Sequence, residues 1–357
     1  MTKDLNNNKE ESKEIIFSQT NDLLNKNQDE NESINYNFLR PQTFDDFIGQ
    51  SKVKQSISIA VSAAKERKES LDHVLFYGPP GLGKTTLSQI IAKQSFADYT
   101  HLGGPTIERA ADLVGILTHL KENEILFIDE IHRIPKKVEE YLYTAMEDYR
   151  IDFPTGTGSF AQTMNMKLEP FTLIGATTRP GLLSSPLRDR FGLSYHLDFY
   201  EYNELTEIVQ NSSKILNLQI DEQSALEIAK RSRGTPRIAN RLLRRIRDYI
   251  QVKNKKKIDL SSINESLEIE GVDSLGLDRL DRSYIKILAE NFRGGPVGIE
   301  AITASLNEDQ LTLIDVVEPF LLKIGFLLRT AQGRKLTNIA YEQIGKNPPM
   351  NHQNELI

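Results

Sequence analysis

Nine residues constrain this chain more than any others: Gly78-Pro79-Pro80-Gly81-Leu82-Gly83-Lys84-Thr85-Thr86, a G-x-x-x-x-G-K-[ST] loop. The run Val74-Leu75-Phe76-Tyr77 before it reads as a short buried strand, and residues 84–94 after it as a helix. The glycines let backbone N–H groups turn inward as an anion nest at the N-terminus of that helix. In this setting Lys84 reaches the β- and γ-phosphates, and the Thr85 hydroxyl completes a Mg²⁺ shell. The implied ligand is a nucleoside triphosphate. The alternative, a plain glycine-rich turn, requires neither the strand nor the helix.

Ile125-Leu126-Phe127-Ile128-Asp129-Glu130 supplies the second half of such a site. Four apolar residues make a strand buried on both faces, and Asp129 emerges at its C-terminal end, where open α/β sheets bind ligands. Asp129 can hold Mg²⁺ through water, and Glu130 is placed to polarise an attacking water as general base. An acidic pair after a strand can also be plain surface; the phosphate loop about 45 residues upstream favours the catalytic reading. His132 receives no role. Around these motifs, helix-like segments at 52–68, 84–94 and 136–147 alternate with strand-like segments at 74–77, 125–128 and 171–176, the pattern of a parallel sheet with helices on both faces.

Composition removes several classes. Of the 357 residues, 39% are hydrophobic and 26% charged, the balance of a globular protein. No apolar run approaches the roughly 18–20 residues needed to span a bilayer. The first 35 residues lack the apolar stretch of a signal peptide. With no Cys there is no disulfide scaffold, thiol nucleophile or Cys-ligated metal. A cytoplasmic location is the simplest expectation. The net charge of −6 is concentrated at one end, because residues 1–35 hold eight acids against four lysines, with eight Asn. That segment reads as a disordered tail, and the near-neutral remainder says little against a nucleic-acid partner.

From about 203 the strand signals fade. Helical patterns at 203–216, 222–232 and 236–252 form a small all-helical part. Residues 230–257 contain twelve Lys/Arg and one acid, either a nucleic-acid patch or a stretch for nucleotide sensing and subunit packing. The last region, about 275–346, reads as three helices and then a hairpin around Gly333. Between 155 and 168, the alternation Met164, Met166, Leu168 reads as a hairpin with an apolar face, which either serves as an adaptable binding surface or packs on its own domain.

With these motifs in place the chain resembles the AAA+ ATPases, and within them the RuvB family of Holliday-junction branch-migration motors. The segments that carry the resemblance are Leu39-Arg40-Pro41, GPPGLGKTT at 78–86, FIDEIHR at 127–133, AMEDY at 145–149, GATTRPG at 175–181, SPLRDRFG at 185–192, the run at 231–248 and RGGPVG at 293–298, in unbroken order over about 36–346. The resemblance implies an α/β P-loop AAA+ parallel-sheet core at 36–200, a small helical lid at 201–272 and a winged-helix DNA-binding head at 273–346, whose helices would be 281–291, 299–306 and 309–324, the third broken near Pro319. The tails at 1–35 and 347–357, read as disordered, depart from the family pattern.

It also implies roles. Thr178 would be the first sensor, touching the γ-phosphate or attacking water. Arg190 would be the finger that reaches a neighbouring subunit's γ-phosphate, where a planar, always-charged guanidinium suits developing phosphoryl charge; Arg188 stands two residues before it. Arg237 would be the second sensor. Leu39, Arg40, Gly81, Thr86, Glu147, Asp148, Tyr149 and Tyr200 would line the nucleotide pocket with Lys84 and Thr85. Arg293, Arg329 and Arg334 would contact DNA phosphates without reading sequence. The wing run Ala331-Gln332-Gly333-Arg334 stands where the family commonly has Pro-Arg-Gly-Arg, so one charge is missing. Met164, Met166 and Leu168 would dock onto the junction-binding partner RuvA.

The expected activity is ATP hydrolysis with Mg²⁺, in a homohexameric ring that draws duplex DNA through four-way junctions in recombination, DNA repair and the SOS response, with the resolvase RuvC as a further partner. Two rivals are a clamp-loader-type ATPase that remodels protein, and an ATP-dependent DNA-binding module without translocation. The winged-helix arginines speak against the first rival, and junction unwinding with and without RuvA separates the second.

Overall fold

The computed structural model of the chain describes residues 37–155, 162–255 and 257–348. The expected tail at 1–35, and all but the first two residues of the one at 347–357, lie outside the described residues, as do Gly156 and Gly158 of the segment expected to turn between the strands of a hairpin. The chain forms two compact units, one within residues 1–78 and 83–198, the other of Pro79–Leu82 with the chain from Phe199 onward.

The first unit is built on five parallel strands in the order β2-β3-β6-β1-β7. These are β1 (Val74–Tyr77), β2 (Tyr99–Gly103), β3 (Glu124–Asp129), β6 (Phe171–Thr177) and β7 (Leu193–His196). Central β3 and β6 are apolar runs buried almost throughout, as strands covered on both faces require. The edge strands β2 and β7 alternate or carry polar residues, which is why no strand is expected there from the sequence. Helix α1 (Ser51–Arg67) precedes β1, while α2 (Lys84–Ser95), α3 (Ala110–His119) and α4 (Lys136–Asp148) follow β1, β2 and β3, with the short α5 (Ser185–Asp189) before β7. One core joins Leu102, Leu113, Leu126, Ile128, Leu142 and Leu173 with their neighbours. A separate antiparallel hairpin, β4 (Arg150–Thr155) with β5 (Gln162–Lys167), pairs Ile151 with Met166 and Phe153 with Met164.

The second unit holds the helices α6 (Tyr202–Ile215), α7 (Glu222–Lys230), α8 (Pro236–Val252) and α9 (Leu260–Ile269). In α8, Ala239, Leu242, Leu243, Ile246 and Ile250 are buried at helical spacing. Its start is fixed by Thr235, whose hydroxyl accepts the Ile238 N–H, and by Pro236 in the first turn, where a missing N–H costs nothing. The winged-helix module follows: α10 (Arg279–Asn291), α11 (Ile299–Leu306), α12 (Gln310–Thr312), a π turn (Leu313–Val317), α13 (Glu318–Lys323), the wing β8 (Leu327–Thr330) and β9 (Gly333–Leu336), and α14 (Asn338–Gln343). The break expected near Pro319 is the π turn just before it, while Pro319 sits harmlessly in the first turn of α13.

Candidate functional site

The C-terminal ends of β1, β6 and β3 lie side by side, because Tyr77 is in register with Thr177 and Ile128 with Gly175. Gly78 leaves β1 at φ +136° and donates its N–H to the Thr177 carbonyl at 3.2 Å; a Cβ there would stand 2.4 Å from the Leu197 carbonyl oxygen, so only glycine fits. The helix α2 begins at Lys84 with no capping side chain, since Gly83 precedes it. Its first N–H groups are thereby left for an anion. Lys84 is buried and its ammonium donates to the Gly78 carbonyl at 2.8 Å, which curls the side chain into the loop. Thr86 follows, half-buried, in the first turn.

Across from the loop, the Thr85 hydroxyl lies 3.4 Å from Asp129 Oδ2. One hydroxyl and one carboxylate, with the remaining positions left to water and phosphate oxygens, is a donor set that suits Mg²⁺. Among the described residues no group of three His, Cys, Asp or Glu could by itself hold a metal ion. Glu130 follows at φ +49° with its side chain half-exposed and paired to Arg133 at 2.9 Å. β6 runs through Thr177, one residue further than its apolar run suggests. The Thr177 hydroxyl is buried against His132 Nδ1 at 2.9 Å and accepts the Arg179 N–H, while Thr178 beyond it is half-exposed. The structure thus gives His132 a place that sequence reasoning missed; the only signal was its position three residues after Asp129.

A second group gathers at the opposite edge of the sheet. Helix α4 runs back from the Asp129 end, so Glu147, Asp148 and Tyr149 reach the strands' N-terminal ends. His73, the residue before β1, holds that end down: its Nδ1 accepts the Leu173 N–H at 2.8 Å and its Nε2–H donates to the Met146 carbonyl at 3.0 Å. Burial lowers the His73 pKa and keeps the ring neutral, as this tautomer requires. Tyr149 packs edge-on against Phe171. Arg190, just before β7, joins the group through a 2.9 Å ion pair with Glu147, a bond to the Pro186 carbonyl and stacking over Tyr143, while Arg188 is exposed. Glu147, Asp148 and Tyr149, expected to line the nucleotide pocket, and Arg190 thus lie within one chain at the strand ends opposite Lys84. Arg40 lines a cavity of about 380 Å³ beside α2 with Gln89, Lys93, Phe96 and Tyr99, whose lining contains none of the loop residues, and Leu39 precedes it half-buried.

In the second unit the loop tip meets two expected residues. The Arg237 N–H donates to the Gly81 carbonyl at 3.4 Å, and the buried Tyr200 donates its hydroxyl to the Leu82 carbonyl at 3.2 Å. The Arg237 side chain is exposed.

Two expectations are corrected. Leu168 is 2% exposed and belongs to the core of the first unit, and Met166 packs against that core. The shared face of the hairpin dives inward, leaving Met164 as its exposed apolar residue, so Leu168 cannot offer a docking surface. In the winged helix, Arg329 and Arg334 are not free wing cations. Both reach Glu318, whose side chain is wholly buried: Arg329 at 2.5 Å, Arg334 at 2.9 Å, with the Tyr284 hydroxyl on the same carboxylate at 3.0 Å. A carboxylate withdrawn from water needs such partners. Arg329 keeps 43% of its side chain in solvent, Arg334 only 19%. Arg293 is exposed.

Three family models match in succession: the Holliday junction DNA helicase RuvB P-loop domain over 39–197, the RuvB AAA lid domain over 200–273 and the RuvB C-terminal winged helix domain over 274–345. A Holliday junction branch migration complex subunit RuvB of Ligilactobacillus salivarius is 52% identical over 316 residues, covering 88% of this chain and 94% of that protein. Its counterpart in Fusobacterium nucleatum is 54% identical, covering 86% and 93%. Among solved structures, the Thermotoga maritima RuvB Holliday junction branch migration motor is 47% identical and superposes with a TM-score of 0.81 over 87% of this chain and all of that one.

Proposed function

The chain belongs to the RuvB family, and from that premise we propose how its residues carry out ATP-driven branch migration of Holliday junctions as an AAA+ ATPase. The observation that carries the proposal is the division of the chemistry between two edges of one sheet. Lys84, Thr85, Thr86, Asp129 and Glu130 occupy one edge, while Arg190 and Glu147–Tyr149 occupy the other. Only a neighbouring copy can bring the second group to the first. Copies related head to tail do this at every interface, and such contacts close into a ring when the rotation permits; we take the ring to be a hexamer.

In the proposed cycle the loop N–H groups and Lys84 bind the β- and γ-phosphates. Thr85 and Asp129 would hold Mg²⁺, which would supply charge neutralisation on those phosphates. Glu130, released from Arg133, accepts a proton from the attacking water. Thr178 touches the γ-phosphate, with Thr177 and His132 fixing the strand end beneath it. The neighbour's Arg190, released from Glu147, stabilises charge on the transferred phosphoryl group. Leu39 and Arg40 are assigned to nucleotide contact on the family resemblance, as are Gly81, Tyr200 and Arg237.

The winged helix contacts duplex backbone through Arg293 and Arg329, with Arg334 holding the wing in place. RuvA docks on the hairpin around Met164, and RuvC joins the same assembly. The setting is the cytoplasm; among the described residues no helix is long and apolar enough to cross a membrane. The test is ATP-dependent dissociation of a synthetic four-way junction, with and without RuvA. Dissociation that needs ATP and is strengthened by RuvA is expected; ATP hydrolysis on duplex DNA without any junction movement would overturn the reading.

A further inference from the structure

The lid helices and the winged helix share one compact unit, and the turn between α7 and α8 is where they join. Residues 231–234 of that turn are buried although two are arginines. Arg231 is satisfied within the lid, by Glu227 at 2.8 Å and Asn264 at 2.7 Å. Arg233 points the other way. Held at φ +54°, it forks across the winged helix, reaching Asp278 at 3.1 Å, Asp281 at 3.0 Å and the Val316 carbonyl at 2.9 Å, with its guanidinium 4.7 Å from the centre of the Phe320 ring. Asp278 caps α10 and Asp281 closes its capping box, Val316 lies in the π turn and Phe320 in α13. One side chain therefore grips three elements of the DNA module.

The same turn holds the phosphate-loop tip. The Gly234 carbonyl accepts the Tyr200 N–H at 2.9 Å, and Tyr200 in turn bonds Leu82. Three residues after Gly234, Arg237 bonds Gly81. From the winged-helix side, the Lys323 ammonium stacks 4.6 Å from the Phe199 ring, and a Cβ on Gly234 would stand 1.9 Å from its nitrogen. Burial lowers the Lys323 pKa. The contacts run without a gap from Gly81 and Leu82, through the turn, to the first turn of α10.

We infer that Arg233 is a positioning residue that couples the nucleotide state felt at the loop tip to the placement of the DNA-binding module. A planar fork with several fixed partners transmits a displacement, whereas an ammonium at the end of a flexible chain would absorb it. The inference rests on the proposed function, because coupling matters only if the module works on DNA.

Arg233→Lys keeps the charge and loses the fork, and Lys323→Met removes the second contact without touching the buried acids. Amide hydrogen exchange at residues 279–281 is followed in the full chain with and without ATP. In the parent, ATP is expected to change exchange there at least threefold, and in Arg233→Lys that change is expected to vanish. Melting curves confirm that each variant is folded. The ATPase kcat and the duplex Kd stay within about twofold of the parent, while base pairs migrated per ATP fall at least fivefold; Lys323→Met shows the same split in milder form. The coupling role is overturned if ATP binds the parent without altering exchange in α10. It is equally overturned if ATPase and migration fall together, or if migration per ATP is unchanged in the folded variants. A parent that responds in exchange yet moves no junction counts against the migration reading and leaves the coupling standing.

Discussion

Lys84 and Glu130 sit at the same edge of the sheet but face different tasks, and single substitutions separate them. In the proposed cycle Lys84 balances phosphate charge from within the loop, so Lys84→Ala should abolish nucleotide binding, read by fluorescent-nucleotide titration. Glu130 in that cycle acts on water alone, so Glu130→Gln should bind ATP normally and hydrolyse it about 10²–10⁴-fold more slowly. Equal turnover in Glu130→Gln and the parent removes the general-base role. Glu318 is the corresponding test in the winged helix. Its charge is the common partner of Arg329, Arg334 and Tyr284, and unpairing a buried ion pair costs about 3–5 kcal/mol. Because Arg329 is half in solvent, Glu318→Gln should lose stability toward the lower end of that range, read by chemical denaturation. Arg329→Ala should weaken DNA binding about equally for all sequences and reduce the salt slope by about one. Arg334→Ala should act chiefly on the stability of the wing.

At the scale of elements, legibility in the sequence followed burial. Strands β3 and β6 announce themselves as apolar runs, and α8 begins and ends where its cap, its proline and its apolar spacing place it. The edge strands β2 and β7 carry Thr, His and Ser among their apolar residues, and a half-covered strand of four or five residues has too short a pattern to stand out. The hairpin was visible as an alternation, but alternation says only that Met164, Met166 and Leu168 share a face. The gradient along that face, from open at Met164 to buried at Leu168, depends on where the hairpin roots in the core. Leu168→Ala should accordingly cost about 2–5 kcal/mol and Met164→Ala almost nothing in denaturation, while Met164→Ala weakens RuvA capture. The end of α4 supplies a pH test. The His73 pKa is lowered from its usual 6.5, so folded protein resists protonation that unfolded chain accepts. The stability His73 contributes is complete above about pH 6.5 and is lost as pH falls below it. His73→Gln should flatten that slope between pH 6.5 and 5 in melting experiments.

For the whole molecule, the two-edged sheet predicts the behaviour of mixtures. Arg190→Ala should bind ATP and hydrolyse it slowly, and Lys84→Ala should be inert. Where the intact loop of an Arg190→Ala chain meets the intact Arg190 of a Lys84→Ala chain, a complete site returns. Random equal mixing restores about a quarter of the head-to-tail interfaces, so ATPase should recover toward that fraction of the parent rate. No recovery despite demonstrated co-assembly would show that Arg190 does not serve a neighbour. The motifs that carry both groups are visible in the sequence, but the strand end at which each group stands is not. That follows from the direction of α4 and the place of Arg190 before β7, which only the folded sheet defines.

The separation of loop and finger across one sheet also has a genetic consequence. A chain altered at Lys84 alone, or at Arg190 alone, spoils one interface wherever it enters an assembly. In the proposed ring a chain altered at both would spoil two, because its loop would face one neighbour and its finger the other. In a cell making parental and altered chains together, the double alteration should be the more dominant allele, poisoning repair at a lower share of the pool than either single change.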